Sequence, residues 1–244
     1  MFDPFQDLAT AGYLRNVEGV SDLQEVKRQE HFFFESNFES ALSYLRGRKG
    51  EIAYEHFLEV HRILFQDFYP WAGQDRQMLN VGRLVAKGEE ITFEASELCR
   101  HAAEWALRLG NNKPGIRARP GEVMGAFAWA HPFLDGNGRA MLLVHSELCH
   151  RAGFSIDWLS STKDGYLNAL TAELKHPRAG SLDQYLAPLI IKAAPRKDWV
   201  EQFNSMPGLD GLEVVDENVA YLGDDPVANE RYQEIKRSRG PTSS

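Results

Sequence analysis

The sequence predicts a mainly α-helical fold with a single β-hairpin. Three observations carry that prediction. Apolar residues recur at helical spacing along most of the chain, as in Ala53, Phe57, Val60 and Leu64. Capping residues, prolines and glycines punctuate those stretches where helices of ordinary length should start and stop. Residues 76–93 alone lose the helical period and read as two short extended pieces about a Lys87-Gly88-Glu89 turn.

The elements follow in order. Ser21, Asp22, Leu23 and Gln24 have capping-box spacing, so a helix starts near residue 22 and runs through "QEVKRQEHFFFESNFESALSYL". After a break at "RGRKGE", the stretch "IAYEHFLEVHRILFQDFY" has the wide apolar face of a core helix, closed by Pro70 and Gly73. Beyond the hairpin comes a helix over roughly 94–109, then a loop, "NNKPGIRARPG". The helix in "EVMGAFAWA" must stop around His131, because Pro132 disfavours helical geometry in the residue before it. In "RAMLLVHSELCHRAG", Met141, Leu142, Leu143 and Val144 are consecutive, which predicts burial nearly all round. Ser161 or Thr162 caps a further helix, and Ser181 caps "LDQYLAPLII". The expected organisation is one domain over residues 1–192 and an acidic C-terminal appendage over 193–244, partly extended or flexible, with a short helix in "ANERYQEIKRS".

Composition narrows the class of function. The chain has 244 residues, a formal charge of −8, 43% hydrophobic and 25% charged residues, enough for one sizeable core with appendages. The acidic balance argues against a sequence-independent grip on nucleic acid, which needs a broad basic surface. A small anion site built from backbone N–H groups is compatible with any net charge. Cys99 and Cys149 read as reduced thiols. The N-terminus lacks a signal-peptide pattern, and no apolar stretch approaches the ~20 residues of a membrane helix. A cytoplasmic protein is expected, with export as an effector the alternative.

Chemistry concentrates in "WAHPFLDGNGRAML", residues 129–142. Helix N-termini leave N–H groups unpaired and carry partial positive charge, and Gly136 and Gly138 allow close backbone approach, so this junction is an anion site suited to phosphate. Arg139 adds a planar fork for a further phosphate. Asp135 beside phosphate makes sense with Mg²⁺ between them. His131 can take a proton from a hydroxyl near neutral pH. Base, metal ligand, cradle and clamp together read as a phosphoryl-type transfer centre. Taken singly, each residue is an ordinary turn, cap or structural histidine; their co-occurrence on one loop is the signal.

His131-Pro132-Phe133-Leu134-Asp135-Gly136-Asn137-Gly138-Arg139 resembles the Fic domain signature through its first arginine. "YPWAGQDR" (69–76) is similar to the segment before that family's hairpin flap, and "YLRNVEGVSD" (13–22) resembles the start of many bacterial members. The resemblance covers roughly residues 13–192. It implies a Fic-type helical bundle with the flap beside the active loop, and AMP transfer from ATP to a Ser, Thr or Tyr hydroxyl of a target protein. His131 would deprotonate that hydroxyl, and Asp135 would hold Mg²⁺. Gly136, Asn137 and Gly138 would cradle the α- and β-phosphates, and Arg139 would bind the outer ones. A target segment would pair with the 76–93 hairpin by β-augmentation.

One departure stands out. The family pattern usually continues with a second arginine three residues on, on the same helix face; here that position is Leu142. His145 lies a turn further. The family's inhibitory glutamate motif is absent too: Glu18-Gly19 and Glu217-Asn218 supply its ending, but Leu14 and Glu213 occupy its Ser/Thr positions. Either a separate small antitoxin supplies it, or the loss of its usual arginine partner at position 142 means that there is no such lock. Three functions therefore compete: a protein AMP-transferase acting as toxin or effector, a transferase of another group (a different nucleotide, phosphocholine or phosphate), and a weakened nucleotide- or partner-binding module. Elsewhere, His56/His61 and His145/His150 have the wrong spacing for helical zinc ligands. Trp71 and Trp129 read as packing residues, and Arg83 and Lys87 as a solvated strand face. Phe32-Phe33-Phe34 is core plus one exposed ring, a surface an antitoxin could use.

Overall fold

The computed structural model describes residues 5, 15–87, 91–204, 219–221 and 225–239. The first helix, α1 (Leu23–Arg46), starts where the sequence predicts: the Asp22 side chain caps it by accepting the Glu25 N–H. Its buried stripe, Val26, Glu30, Phe34, Phe38, Leu42 and Leu45, lies against α2 (Tyr54–Phe65). The stripe is hydrophobic except at Glu30. α3 (Cys99–Asn111) follows a single 3₁₀ turn. The expected loop at 111–121 holds a further short helix, α4 (Lys113–Ala118). Asn112 caps it by accepting the Gly115 N–H, and Pro114 suits its first turn.

At the centre stands α5 (Pro120–Ala130), in which every residue but Glu122 is buried. It packs against α3, α6 (Asn137–Arg151), α7 (Lys163–Lys175) and α8 (Ser181–Leu186). Small residues make this possible: a Cβ on Gly121 would lie 2.3 Å from the Asp183 backbone nitrogen. Thr162 caps α7. The helix expected over "LDQYLAPLII" stops at Leu186, and its end becomes β4 (Ile190–Lys192), antiparallel to β3 (Phe154–Ile156).

The hairpin is shorter than the 76–93 span predicted. Its paired strands are β1 (Val85–Lys87) and β2 (Ile91–Thr92), and the expected turn at residues 88–90 lies outside the described residues. Residues 76–84 are instead turns packed under the 131–139 loop, because Arg76 and Ser96 draw the backbone inward with side-chain hydrogen bonds. On its other side β1 pairs with β5 (Val219–Tyr221), so its two edges are taken by β2 and β5. Also from the tail, α9 (Trp199–Asn204) packs through Phe203 on Phe38 at 5.2 Å. α10 (Pro226–Arg239) includes the predicted short helix; its Tyr232 is buried and donates a hydrogen bond to Glu94. Among the described residues no helix is long and apolar enough to cross a membrane.

Candidate active site

The loop between α5 and α6 gathers the predicted residues in one place. α5 ends at His131, whose backbone is left-handed (φ 40°, ψ 56°), a conformation costing a non-glycine residue roughly 1–2 kcal/mol. The surroundings hold it there. The fully buried Arg76 donates from Nε to the His131 carbonyl at 2.8 Å and from Nη2 to the Glu94 carbonyl at 2.6 Å. Its Nη1 meets the Ser96 hydroxyl at 3.1 Å, and its own N–H donates to the Pro132 carbonyl at 2.8 Å. The Phe93 ring, leaving β2, stacks on the His131 imidazole at 3.8 Å. Burial, aided by the Arg76 charge, pulls the His131 pKa down to about 3, so the ring is neutral at physiological pH.

Phe133 is buried and pins the loop. Asn137 closes it: the Phe133 N–H donates to Oδ1 at 2.9 Å and Nδ2 returns a bond to the Phe133 carbonyl at 2.8 Å. Gly136, N-cap of α6, has φ 73°, and a Cβ there would fall 2.4 Å from the Phe65 ring. Gly136→Ala is therefore expected to destabilise the protein by about 2–4 kcal/mol, the sum of left-handed strain and overpacking. A urea midpoint within 1 kcal/mol of wild type would contradict this. Nothing lies within 4 Å of a Cβ built on Gly138, so the α6 N-terminus is open there.

Asp135 lies across that N-terminus, its Oδ1 accepting the Gly136 N–H at 2.6 Å. Lys27 of α1 bonds its Oδ2, and Arg139 lies 3.9 Å from Oδ1. Burial alone would raise the Asp135 pKa, but Lys27 and Arg139 hold it down to about 2. Glu30, fully buried, pairs with both cations, with Lys27 at 3.1 Å and with Arg139 through Oε1. Burial opposes the Arg139 charge, yet Glu30 and Asp135 hold its pKa above the ordinary guanidinium value. Four alternating charges thus surround the phosphate-type cradle. Leu142 is buried hydrocarbon, and His145 is spent on the Pro120 carbonyl at 2.8 Å.

Sequence reasoning missed Lys27, Glu30, His61, Arg76 and Phe93. His61, buried on α2, stacks on Phe133 at 3.8 Å. The Gly73 N–H donates to its Nδ1 at 2.9 Å, so Nε2 carries the proton and donates to the Asp135 carbonyl at 3.0 Å. A signal existed for two of these. Glu30 and His61 both occupy positions of an apolar stripe, where a polar residue must find a partner.

The buried histidines make the fold acid-sensitive. Burial lowers the His61 pKa to about 3 and the His145 pKa to about 4, each from 6.5. Below pH 6.5 the unfolded chain takes up these protons and the folded chain does not, so stability falls as pH falls towards 4. Between pH 7 and 5 each is expected to remove about 2 kcal/mol. Urea titrations at the two pH values measure the loss, to which His131 adds a like amount, and His145→Gln should reduce it by about 2 kcal/mol. Equal stability at both would contradict the assignment.

Three comparisons show what the chain is similar to. Residues 51–149 match the model of the Fic/DOC family. The chain is 30% identical over 165 residues to the protein adenylyltransferase VbhT of Bartonella schoenbuchensis, covering 64% of this chain and 32% of that protein. It is 29% identical over 161 residues to the probable protein adenylyltransferase y4lH of Sinorhizobium fredii, covering 64% of this chain and 81% of the relative. The chain thus spans about a third of VbhT but most of y4lH. In fold it is similar to the crystal structure of the BepC effector of Bartonella tribocorum with bound AMPPNP (TM-score 0.60, 19% identity, 73% of this chain and 92% of that one). It is likewise similar to the ADP-bound N-terminal Fic domain of a Bartonella quintana effector (TM-score 0.62, 19% identity, 78% and 96%). Residues 51–149, which hold the 131–139 loop, are thus the part of the chain that matches the Fic/DOC family.

Proposed function

We propose that this protein is a protein adenylyltransferase, moving AMP from ATP to a Ser, Thr or Tyr hydroxyl of a target protein. The observation that carries the reading is one short loop that sets a neutral imidazole, an ionised carboxylate and a guanidinium around a helix N-terminus open at Gly138. The names of VbhT and y4lH and the AMPPNP held by BepC support it.

The chemistry follows from these groups. The α6 N-terminus and Arg139 bind and orient the triphosphate. His131 accepts the proton of the target hydroxyl, whose oxygen attacks the α-phosphorus. The bond from that phosphorus to the bridging oxygen of the β-phosphate breaks, and pyrophosphate leaves. Asp135 suits Mg²⁺: it is a hard, ionised oxygen donor, and one carboxylate with phosphate oxygens is a usual Mg²⁺ donor set. Mg²⁺ bound there would neutralise charge developing on the phosphates. An extended target segment that adds to β1 takes the place that residues 219–221 hold.

The test uses bacterial lysate, magnesium, and ATP labelled at either the α- or the γ-phosphate. Label is expected on a protein band from the α position and not from the γ position. Labelling from the γ position would make the protein a kinase and overturn the reading. A second reading keeps the transferase and changes the donor, because Leu142 brings no charge to the cradle. Intact-mass shifts of targets with ATP, GTP, UTP, CTP and CDP-choline separate the two.

A further inference from the structure

We infer that Lys27, on α1, is the second cation of the phosphate clamp, doing from another helix what Leu142 cannot do from α6. The inference rests on the proposed nucleotide reading and adds a residue to it. Its basis is the position of the Asp135 carboxylate, which lies on the Gly136 amide as a bound anion would. The two cations beside that carboxylate are Arg139 and Lys27. A phosphate oxygen that takes the carboxylate's place on the same amide meets the same pair.

The rest of the cluster fits this role. Glu30 is fully buried and bonds both cations, so it holds the Lys27 ammonium and the Arg139 guanidinium on one side of the cradle. The Lys27 side chain is 32% exposed, which leaves its flexible stem room to move from a carboxylate to a phosphate. Leu142 lies on the helix turn after Arg139 and is buried among apolar residues, so Arg139 is the guanidinium that α6 brings to the cradle. A plain surface ion pair between Lys27 and Asp135 would serve no such purpose, and its loss would leave nucleotide affinity unchanged.

Lys27 would touch the outer phosphates, so the test compares ligands that differ only in them. ATP, ADP and AMP are titrated calorimetrically, with magnesium in excess, into the full chain and its Lys27→Ala, Lys27→Arg and Lys27→Ala/Leu142→Arg variants. Lys27→Ala is expected to weaken ATP and ADP about tenfold, the worth of one charge-assisted hydrogen bond, and AMP less than about twofold. Lys27→Arg should stay within about threefold of wild type for ATP. In the double variant the new arginine should recover part of the ATP loss; thermal melts establish that each variant is folded. Unchanged ATP affinity in Lys27→Ala would overturn the role while leaving the nucleotide reading intact. An equal loss for ATP and AMP would also overturn it, as an effect on the loop as a whole. A wild-type chain that binds none of the three would overturn both.

Discussion

His131→Ala is expected to lower AMP transfer by about 10²–10⁴-fold with nucleotide affinity preserved, the signature of a lost general base. The imidazole is held for this by groups from three elements: Phe93 after β2 stacks on its face, Arg76 holds its carbonyl, and α5 carries its backbone to a left-handed stop. The same burial fixes the pH dependence. With a pKa near 3 in the free protein, His131 stays unprotonated down to about pH 4, so acid does not remove the base across the ordinary histidine range. The acid limb of kcat/KM should therefore fall well below pH 6.5, and the rate should be flat from about pH 6 to 8. Initial rates on a labelled target from pH 5 to 8 measure this. A half-maximal rate near pH 6.5 would mean that His131 titrates as an exposed histidine.

The second large effect is on stability. Arg76→Met, which keeps the bulk and removes the donors, is expected to cost about 3–5 kcal/mol. Arg76 is fully buried, and its side chain serves the carbonyls of His131 and Glu94 and the Ser96 hydroxyl. Its loss leaves those acceptors without a donor in a site closed to water, where each costs about 1–3 kcal/mol. It also removes the bond that holds the left-handed turn, so transfer should fall along with stability. The urea midpoint at constant m-value reports the stability change. A loss under 1 kcal/mol would show that water or a neighbouring side chain takes over.

The bundle and its loop were legible in the sequence to different depths. Helix starts came through well because caps are local: Asp22 and Thr162 cap α1 and α7 where the residue pattern puts them. Pro132 marked the end of α5. The 131–139 loop was legible because a histidine, an acid, two glycines and an arginine fall together at one helix start. Gly136 answers the closest constraint, with the Phe65 ring where a side chain would be. The misses are long-range. Nothing in "GRLVAKG" states that β1 will pair with residues 219–221, more than a hundred positions on. The β3–β4 ladder likewise joins Phe154–Ile156 to the end of a segment that reads as helix. Lys27 and Arg76 look like ordinary surface cations in the sequence; only folding sets one on Asp135 and the other under His131. Glu30 was the readable exception, a charge on a stripe otherwise made of Val, Phe, Ala and Leu.

On the proposed function, the loop at the α6 N-terminus seats a metal-bound triphosphate within reach of His131. The most direct measurement is a crystal structure of the full chain with magnesium and a non-hydrolysable ATP analogue. Phosphate oxygens are expected on the amides of residues 136–138 and on Arg139, with the metal on Asp135 and the α-phosphorus facing the His131 ring. Nucleotide bound elsewhere, or a loop still closed by Lys27 and Asp135 at saturating nucleotide, would contradict it.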